Sequence, residues 1–210
     1  MRIIAGTKRG MKLFSPDGID SRPITDRVKE SLFNVFCKYG LPEGAVVADL
    51  FCGVGSLGLE SLSRGAEFVS FVERRPEIIA ILKRNIEKAG FVRTSRVIMA
   101  DVFKIGAPVG KKFEIRNSKF EISGYDLIFV DPPYTFTEDV GVGSPLSELL
   151  GLLQEQAARD GLVVVRTRHH TRQGGSDRYG RFKVIEKRRW GTMAVTLLRK
   201  SEKEIQNPKH

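Results

Sequence analysis

The sequence is poor in the residues that build disulfides and zinc sites. Its 210 residues include only two cysteines, Cys37 and Cys52, and no CxxC motif. Two of the three histidines, His169 and His170, are adjacent, and the third is the last residue. Disulfides persist in oxidising compartments, and structural zinc needs clustered Cys and His ligands. We therefore expect a cytoplasmic protein without a metal, in which Cys37 and Cys52 are packing residues.

Long apolar runs are missing as well. No stretch approaches the roughly 20 apolar residues of a membrane helix. The opening residues 1–6 lack the longer apolar region of a signal peptide. With 41% hydrophobic residues, the chain can still bury an ordinary core. We therefore expect a globular protein that does not associate with membranes.

Positive charge is in excess, and it lies at two flanks of the chain. The net charge is +10; residues 1–29 carry seven basic and three acidic side chains, and residues 166–189 carry nine and two. The block at 41–101 is balanced, with eight of each sign. Basic flanks favour a long polyanion such as nucleic acid as the partner, although a basic protein that is merely soluble would have the same composition.

Hydrophobic periodicity predicts an α/β architecture. Two short runs at 2–6 and 11–14 predict a hairpin with a basic tip, and an amphipathic helix should follow from Asp26 to Tyr39 with Thr25 as its N-cap. Strands then alternate with helices, which predicts a parallel, doubly wound sheet. The predicted strands are Val46–Leu50, Phe68–Glu73, Ser95–Asp101, Tyr125–Val130 and Gly161–Val165, and the predicted helices are Ser56–Arg64, Pro76–Ala89 and Leu146–Ala158.

The end of the chain departs from this alternation. Strand patterns at Phe182–Trp190 and Met193–Arg199 are joined by only two residues, so they predict an antiparallel hairpin. The basic connection from Lys104 to Lys119 is either a substrate-contacting loop or an insertion. The predicted parts are a hairpin and helix extension at 1–40, the main domain at 41–200 and a polar tail at 201–210.

The stretch Asp131-Pro132-Pro133-Tyr134 directly follows a predicted buried strand. Proline has no N–H to donate and keeps the preceding residue extended, so the chain leaves the sheet stiffly, with a carboxylate and carbonyl oxygens in fixed directions. Such acceptors beside an aromatic ring suit a planar group that carries an NH₂, such as a nucleobase. The plain alternative is a turn that closes a strand.

Three further acids stand at or near strand ends. Asp49, Glu73 and Asp101 precede Asp131 at intervals of about one βα unit. In open parallel sheets, ligands bind outside the carboxyl ends of the strands. We therefore expect the four carboxylates to line one edge of the sheet.

A glycine motif follows the first predicted strand. Gly53, Gly55 and Gly58 satisfy G-x-G-x-x-G, and Glu73 lies 20 residues after Gly53. The pattern is typical of sites for dinucleotides and other adenosine ligands, in which the acid accepts from ribose hydroxyls. A glycine turn that simply leads into a helix is the alternative.

Several features favour S-adenosylmethionine over NAD as the ligand. Asp49 would repel a pyrophosphate but could pair with an α-ammonium group. The segment Asp101-Val102-Phe103 offers a carboxylate to an adenine amino group and apolar surface to the ring faces. The final hairpin also suits a seven-stranded methyltransferase sheet better than an all-parallel sheet.

The sequence resembles the bacterial RsmD-type family, which methylates guanine N2 in small-subunit (16S) ribosomal RNA. The resemblance spans residues 1 to about 167, and the segment Arg22–Asn34 is its most specific part because generic methyltransferases lack it. Cys52 and Val54 depart from the usual Ala and Ser or Thr, and the connection at 104–124 is longer than expected. The matching segments are 2–6, 22–34, 49–60, 63–66, 72–74 and 131–134.

The resemblance implies a Rossmann-like methyltransferase fold with a seven-stranded, mostly parallel sheet. It implies that S-adenosylmethionine is consumed and S-adenosylhomocysteine is released. Asp131-Pro132-Pro133-Tyr134 would be catalytic: the Asp131 carboxylate and the Pro132 carbonyl accept the two N–H bonds, and Tyr134 stacks on the base. The implied cofactor residues are Asp49, Phe51, Gly53, Gly55, Glu73, Arg74, Asp101, Val102 and Phe103.

The implied partner is small-subunit rRNA or its assembling particle, met by a monomeric protein. Arg27 could instead face the cofactor carboxylate. The candidates for RNA contacts are Arg2, Lys8, Arg9, Arg22, Arg27, Arg168 and Arg172.

Three other functions fit parts of the sequence. Adenine N6 in DNA or RNA is also a conjugated NH₂ group, so the Asp131–Tyr134 motif would serve it equally well. The glycine spacing alone would allow a nicotinamide oxidoreductase. An RNA-binding assembly factor with a vestigial cofactor pocket would share the charge pattern.

Overall fold

The computed structural model describes residues 1–16, 24–110, 122–137, 141–168, 178–179 and 181–200. These residues form one mixed sheet of eight strands with helices on both faces. The strands are β1 (Val46–Leu50), β2 (Phe68–Glu73), β3 (Ser95–Met99), β4 (Tyr125–Val130), β5 (Ala157–Arg168), β6 (Arg178–Tyr179), β7 (Phe182–Trp190) and β8 (Met193–Lys200). The helices are α1 (Asp26–Cys37), α2 (Ser56–Ser63), α3 (Pro76–Ala89), α4 (Val102–Ile105) and α5 (Pro145–Gln156).

The strand order is β3-β2-β1-β4-β5-β8-β7-β6. Strands β1 to β5 run parallel, whereas β8 is antiparallel to β5, and β7 to β8. The predicted parallel sheet with a C-terminal antiparallel hairpin is therefore confirmed. The two-residue strand β6 at the outer edge was not predicted. The order reverses between β1 and β4, and a ligand site is expected outside the carboxyl ends of strands at such a switch point.

Side chains of the two central strands alternate between two hydrophobic clusters. In β4, Leu127 and Phe129 face the cluster that contains α1, α2 and α3, while Ile128 and Val130 face the cluster that contains α5. This alternation follows from the two-residue repeat of a strand. Because both faces are covered, the parallel strands read as continuous apolar runs in the sequence.

Predicted boundaries around β3 and β5 were wrong. Helix α5 ends at Gln156 and β5 begins at Ala157. The register of β4 with β5 shifts between Tyr125 and Leu127, which pair with Ala157 and Leu162, so residues 158–161 are extra residues on the β5 side. Strand β3 ends at Met99, and Asp101 instead caps α4 by accepting a hydrogen bond from the Phe103 N–H at 3.1 Å.

The N-terminal hairpin is smaller than predicted. It contains one antiparallel bridge, Arg2 to Lys12, and a 3-10 turn at Gly6–Lys8. Its Ile3 and Leu13 side chains enter the same hydrophobic cluster as α1 and the sheet. The hairpin therefore packs onto the main sheet, and the proposed division at residues 40 and 41 stays a prediction.

A buried ion pair fastens the hairpin and α1 to α2. The side chains of Lys29 and Glu60 are both 0% exposed, with 3.3 Å between Nζ and Oε2. Lys29 also donates to the Arg2 carbonyl at 2.7 Å, and Glu60 accepts from the backbone N–H groups of Ile4 and Ala5. Burial lowers the pKa of Lys29, while Glu60 acts in the opposite direction.

Cys37 is exposed, so the prediction that it lies in the core was wrong. The packing face of α1 is filled by Leu32, Phe33 and Phe36, and Cys37 is the last residue of the helix. In the described part of the chain, every helix is too short or too polar to cross a membrane.

Candidate active site

A cleft of about 510 Å³ opens at the carboxyl ends of the parallel strands. Its volume is within the range of small-molecule and cofactor sites. Asp49 and Phe51 come from the end of β1, Glu73 from the end of β2, and Asp101 from the start of α4. All four predicted carboxylates line this one cleft, as the parallel topology requires. The predicted residues that line it are Asp49, Phe51, Gly53, Glu73, Arg74, Asp101, Val102, Phe103, Asp131, Pro132, Pro133, Tyr134 and Arg168.

Gly55 does not line the cleft. It caps α2 with a φ of 88°, and a Cβ there would lie 2.5 Å from Cδ1 of Leu82. A Cβ on Gly58 would lie 2.3 Å from the Phe71 ring. These two glycines therefore allow α2 to pack closely on its neighbours, and only Gly53 of the motif borders the cleft.

Asp49 is held by the backbone of α2. Its Oδ2 accepts a hydrogen bond from the Gly58 N–H at 2.8 Å, and the residue is 2% exposed. Burial raises the pKa of Asp49 well above its usual range, and the nearby Asp131 and Glu73 carboxylates raise it further. The Gly58 hydrogen bond opposes this rise. A cation beside Asp49 would stabilise its charged carboxylate, which burial and the neighbouring acids disfavour.

Glu73 and Asp101 are also held by backbone N–H groups. Glu73 accepts from Gly53 at 3.2 Å and from Arg74 and Arg75 at 3.0 Å each. Asp101 accepts from Phe103. We call Asp49, Glu73 and Asp101 the backbone-held acids, because peptide groups fix the position of each carboxylate.

Asp131 is held differently, by a side chain. Its Oδ1 accepts from Nε of Arg166 in β5, and the side chains are 20% and 18% exposed. Burial raises the pKa of Asp131, and the Arg166 guanidinium partly offsets that rise. Next to it, the Arg168 guanidinium lies 4.9 Å from the centre of the Tyr134 ring. Sequence reasoning did not identify Arg166 as a site residue.

Three aromatic rings form a row along the cleft. The Phe51 and Phe103 ring centres are 5.2 Å apart, and those of Phe103 and Phe136 are 4.8 Å apart. Phe51 has a φ of 56°, which is uncommon for a bulky residue and is a kind of strain that clusters at functional sites. Phe136 was missed, although it lies only two residues after Tyr134.

The N-terminal segment also contributes to the cleft wall. Met1, Ser15, Pro16 and Ile24 line it, and none of them was predicted. Ile24 lies inside the segment Arg22–Asn34, the most specific part of the resemblance found in the sequence, so that segment was the available signal.

The predicted RNA-contacting residues are dispersed. Arg2 pairs with Asp26 at 2.7 Å, and the Lys8 Nζ lies 5.9 Å from the centre of the Phe91 ring. Arg9 and Arg27 are exposed, and Arg27 does not border the cleft, which disfavours a contact with the cofactor carboxylate. Arg22 and Arg172 lie outside the described residues, as does most of the Lys104–Lys119 connection.

Cys52 borders the cleft but is buried. Burial raises the pKa of its thiol well above the usual range, and Asp49 and Glu73 raise it further, so Cys52 is unsuited to act as a nucleophile. Within the ranges that the structure covers, no group of three or more His, Cys, Asp or Glu could hold a metal ion.

Comparison with solved structures relates the fold to methyltransferases. The Escherichia coli protein yhhF, provisionally named a methyltransferase, has a TM-score of 0.74 and 26% identity, and the match covers 96% of this chain and 98% of that one. A provisionally named methylase of Haemophilus influenzae has a TM-score of 0.67 and 27% identity, with 96% and 98% covered. An RNA methyltransferase of Salinibacter ruber, solved with S-adenosyl-L-homocysteine, shares this fold at a TM-score of 0.59 and 14% identity, with 90% and 99% covered. The predicted methyltransferase fold is confirmed.

Comparison with curated proteins relates the sequence to rRNA-modifying enzymes. Bacillus subtilis YlbH, provisionally named an rRNA methyltransferase, is 31% identical over 202 residues, which are 95% of this chain and 99% of the relative. Ribosomal RNA small subunit methyltransferase D of Escherichia coli is 35% identical over 136 residues, 64% of this chain and 60% of the relative. The family described as Conserved hypothetical protein 95 matches residues 1–199. The chain therefore belongs to this family, the RsmD-type family that its motifs predicted.

Proposed function

We propose that this protein transfers a methyl group from S-adenosylmethionine to the exocyclic N2 of a guanine in small-subunit (16S) rRNA. The observation that carries the proposal is the cleft itself. It joins the Asp131–Tyr134 motif, which suits a planar amine, to three backbone-held acids that suit an adenosine ligand. Membership of the family, whose curated relatives carry rRNA methyltransferase names, supports the choice of substrate.

The cleft residues fit S-adenosylmethionine. Asp49 is a buried carboxylate whose pKa is raised by burial and by neighbouring acids. The positive charge of an α-ammonium group would favour its ionised form. In this proposal Glu73 would accept from ribose hydroxyls, and Asp101 from an adenine amino group. Phe51 and Phe103 give an adenine ring apolar surface. When bound, S-adenosylmethionine supplies a methyl group on a positively charged sulfur, which is a strong electrophile.

The target amine needs help because its lone pair is delocalised into the base. Oδ1 of Asp131 is engaged by Arg166, and no group in the described part of the chain donates to Oδ2. Oδ2 and the Pro132 carbonyl accept the two N–H bonds of the amine. These hydrogen bonds turn the nitrogen towards tetrahedral geometry and aim its lone pair into the cleft. Orientation of this kind supplies much of the rate, and Asp131 takes the proton that is released.

Tyr134 provides the surface on which the target base stacks. Its ring borders the cleft, with the Arg168 guanidinium beside it. A base inside a helix is out of reach, so the guanine enters from an unpaired loop or leaves its stack. The basic flanks of the chain supply phosphate contacts.

The whole site comes from one chain, which supports action as a monomer. Five strand ends and the N-terminal segment of one chain together form the cleft wall. The partner in this proposal is small-subunit rRNA or its assembling particle, and the compartment is the cytoplasm.

Identification of the methylated nucleoside tests the proposal. The protein is incubated with labelled S-adenosylmethionine and, separately, with naked rRNA, partly assembled small subunits, mature subunits and DNA, and each product is digested. We expect N2-methylguanosine from one of the rRNA samples, formed about 100-fold or more slowly with Asp131→Asn. N6-methyladenosine would instead establish the alternative reaction, because the Asp131 and Pro132 acceptors do not distinguish the two amines.

A further inference from the structure

We propose that Arg166 is a positioning residue that acts through Asp131: it holds Oδ1 and so leaves Oδ2 oriented for the target amine. The inference rests on the proposed function, because that function gives Asp131 its role. Through this contact, a residue of β5 affects the reaction at Asp131, which follows β4.

The sheet register brings the two residues together. Val130 of β4 pairs with Val165 of β5, so Asp131 and Arg166 are the next residues along two parallel neighbours. Arg166 is flanked on its other side by β8, where the Met193 Sδ lies 4.0 Å from its Nη1. With only 18% of its side chain exposed, the guanidinium is confined between Asp131 and the hairpin. A confined planar donor fixes the rotation of the carboxylate, which a mobile surface arginine would not.

The acidic surroundings of Asp131 make this contact important. Asp131 shares its cleft with three acids, Asp49 from β1, Glu73 from β2 and Asp101 from the start of α4, and it interacts electrostatically with Asp49. The N-terminal segment contributes only uncharged side chains to the cleft wall. The cleft residues that carry or can acquire charge are Asp49, Glu73, Arg74, Arg75, Asp101, Asp131, Tyr134, Arg166 and Arg168, together with the Cys52 thiol and the α-amino group of Met1.

Burial raises the pKa of Asp131, and Arg166 is the group that lowers it. Without Arg166, the carboxyl would hold its proton to higher pH. A protonated Asp131 presents an O–H donor and loses part of its capacity to accept from the amine. Arg166 therefore extends the pH range in which Asp131 accepts.

Arg168 has a parallel position on the same strand. Residues two apart in a strand project from the same face, so Arg166 and Arg168 follow one another along the cleft. Arg166 contacts the acid of the motif, and Arg168 lies beside its aromatic ring. Arg166 therefore acts on the orientation of the amine, and Arg168 lies where the base stacks.

The test compares pH profiles of kcat/KM for the wild type, Arg166→Gln and Arg166→Lys with the rRNA substrate. We expect the acidic limb of Arg166→Gln to move upward by about 1–3 pH units, the shift that loss of an adjacent opposite charge produces. Arg166→Lys keeps the charge, so its limb should stay near that of the wild type while kcat falls. Superimposable profiles for the wild type and Arg166→Gln would overturn the inference.

A second measurement does not depend on turnover. In protein labelled with ¹³C at the aspartate carboxyl, the Asp131 signal is assigned by its loss in Asp131→Asn and titrated with and without Arg166. A higher midpoint in Arg166→Gln supports the inference, and an unchanged midpoint overturns it. Arg93→Gln, which removes the same charge from an exposed turn outside the cleft, is the matched control and should leave the midpoint unchanged.

These two readouts distinguish the possible failures. If the wild type methylates no nucleic acid, the proposed function fails, yet the titration still decides whether Arg166 controls Asp131. If the wild type makes N2-methylguanosine and neither the profile nor the midpoint responds to Arg166→Gln, the function stands and the inference fails. Unchanged S-adenosylhomocysteine affinity in Arg166→Gln confirms that the variant is folded.

Discussion

The two halves of the cleft hold their carboxylates by different means. In the half built on β1, β2 and β3, peptide N–H groups hold Asp49, Glu73 and Asp101. In the half built on β4 and β5, a side chain holds Asp131. A peptide donor is fixed by the fold, whereas a side-chain donor can be exchanged by one substitution. In the cofactor half, the positions of the carboxylates are therefore fixed by the backbone. In the target half, the position of the carboxylate can change with a single substitution.

The largest effect is expected from Asp131→Asn. The substitution keeps the shape of the side chain but removes its charge. It therefore weakens the hydrogen bond that the side chain accepts from the amine, and it replaces the ion pair with Arg166 by a neutral contact. We expect the methylation rate to fall by about 100-fold or more. Affinity for S-adenosylhomocysteine, measured by calorimetry, should stay unchanged. Equal losses of rate and affinity would show that the two halves are not separate.

Asp49→Asn should have opposite effects on binding and on stability. Loss of a charged acceptor should weaken S-adenosylhomocysteine binding by about 10- to 100-fold. Because the pKa of Asp49 is raised in the folded state, the native protein binds more protons than the unfolded chain, and stability falls as pH rises above the unfolded pKa. A neutral asparagine does not lose stability in this way, because it carries no charge that must be buried.

Calorimetry with S-adenosylhomocysteine and thermal unfolding check both parts. The Tm of Asp49→Asn should exceed that of the wild type, and by more at about pH 8 than at about pH 5. A lower Tm at the higher pH would contradict the view that Asp49 is held at a cost to stability.

Tyr134→Ala tests the target half without touching a carboxylate. Loss of base stacking should lower kcat/KM by about 5- to 100-fold, mainly through KM for RNA. Tyr134→Phe keeps the ring and should behave like the wild type. If the phenylalanine variant is as impaired as the alanine variant, the hydroxyl and not the ring carries the effect.

The smallest effect is expected from Gly58→Ala, which moves the peptide donor of Asp49. The new Cβ would lie 2.3 Å from the Phe71 ring, so α2 must shift at a cost of about 1–3 kcal/mol in the free energy of unfolding. Gly151→Ala is the matched control, because its Cβ meets no atom within 4 Å in α5. It should raise the free energy of unfolding by about 0.5–1 kcal/mol. Denaturant unfolding measures both variants.

The same contrast explains what the sequence could predict. The backbone-held acids lie at strand ends, and their donors lie in the turn or helix that follows, so motif spacing was enough to find them. The partner of Asp131 is 35 residues away in β5. Only the register of β4 with β5, in which Val130 pairs with Val165, brings the pair together, and no local pattern encodes that register.

Other misses have a similar physical origin. Met1, Ser15 and Pro16 reach the cleft because the hairpin packs on α2 and α3 through contacts between distant residues, such as Phe14 with Asn85. The motif predicts a ligand contact for Gly55 because its spacing does not reveal which glycine packs against Leu82 and which one borders the cleft.

The buried pair of Lys29 and Glu60 has an evolutionary consequence. Removal of Glu60 would leave the Lys29 ammonium inside the protein without the carboxylate that it pairs with, at a cost of about 3–5 kcal/mol. Removal of Lys29 costs less, because Glu60 keeps its ion pair with Arg64 at 2.8 Å. We therefore expect relatives that lack the glutamate to lack the lysine as well.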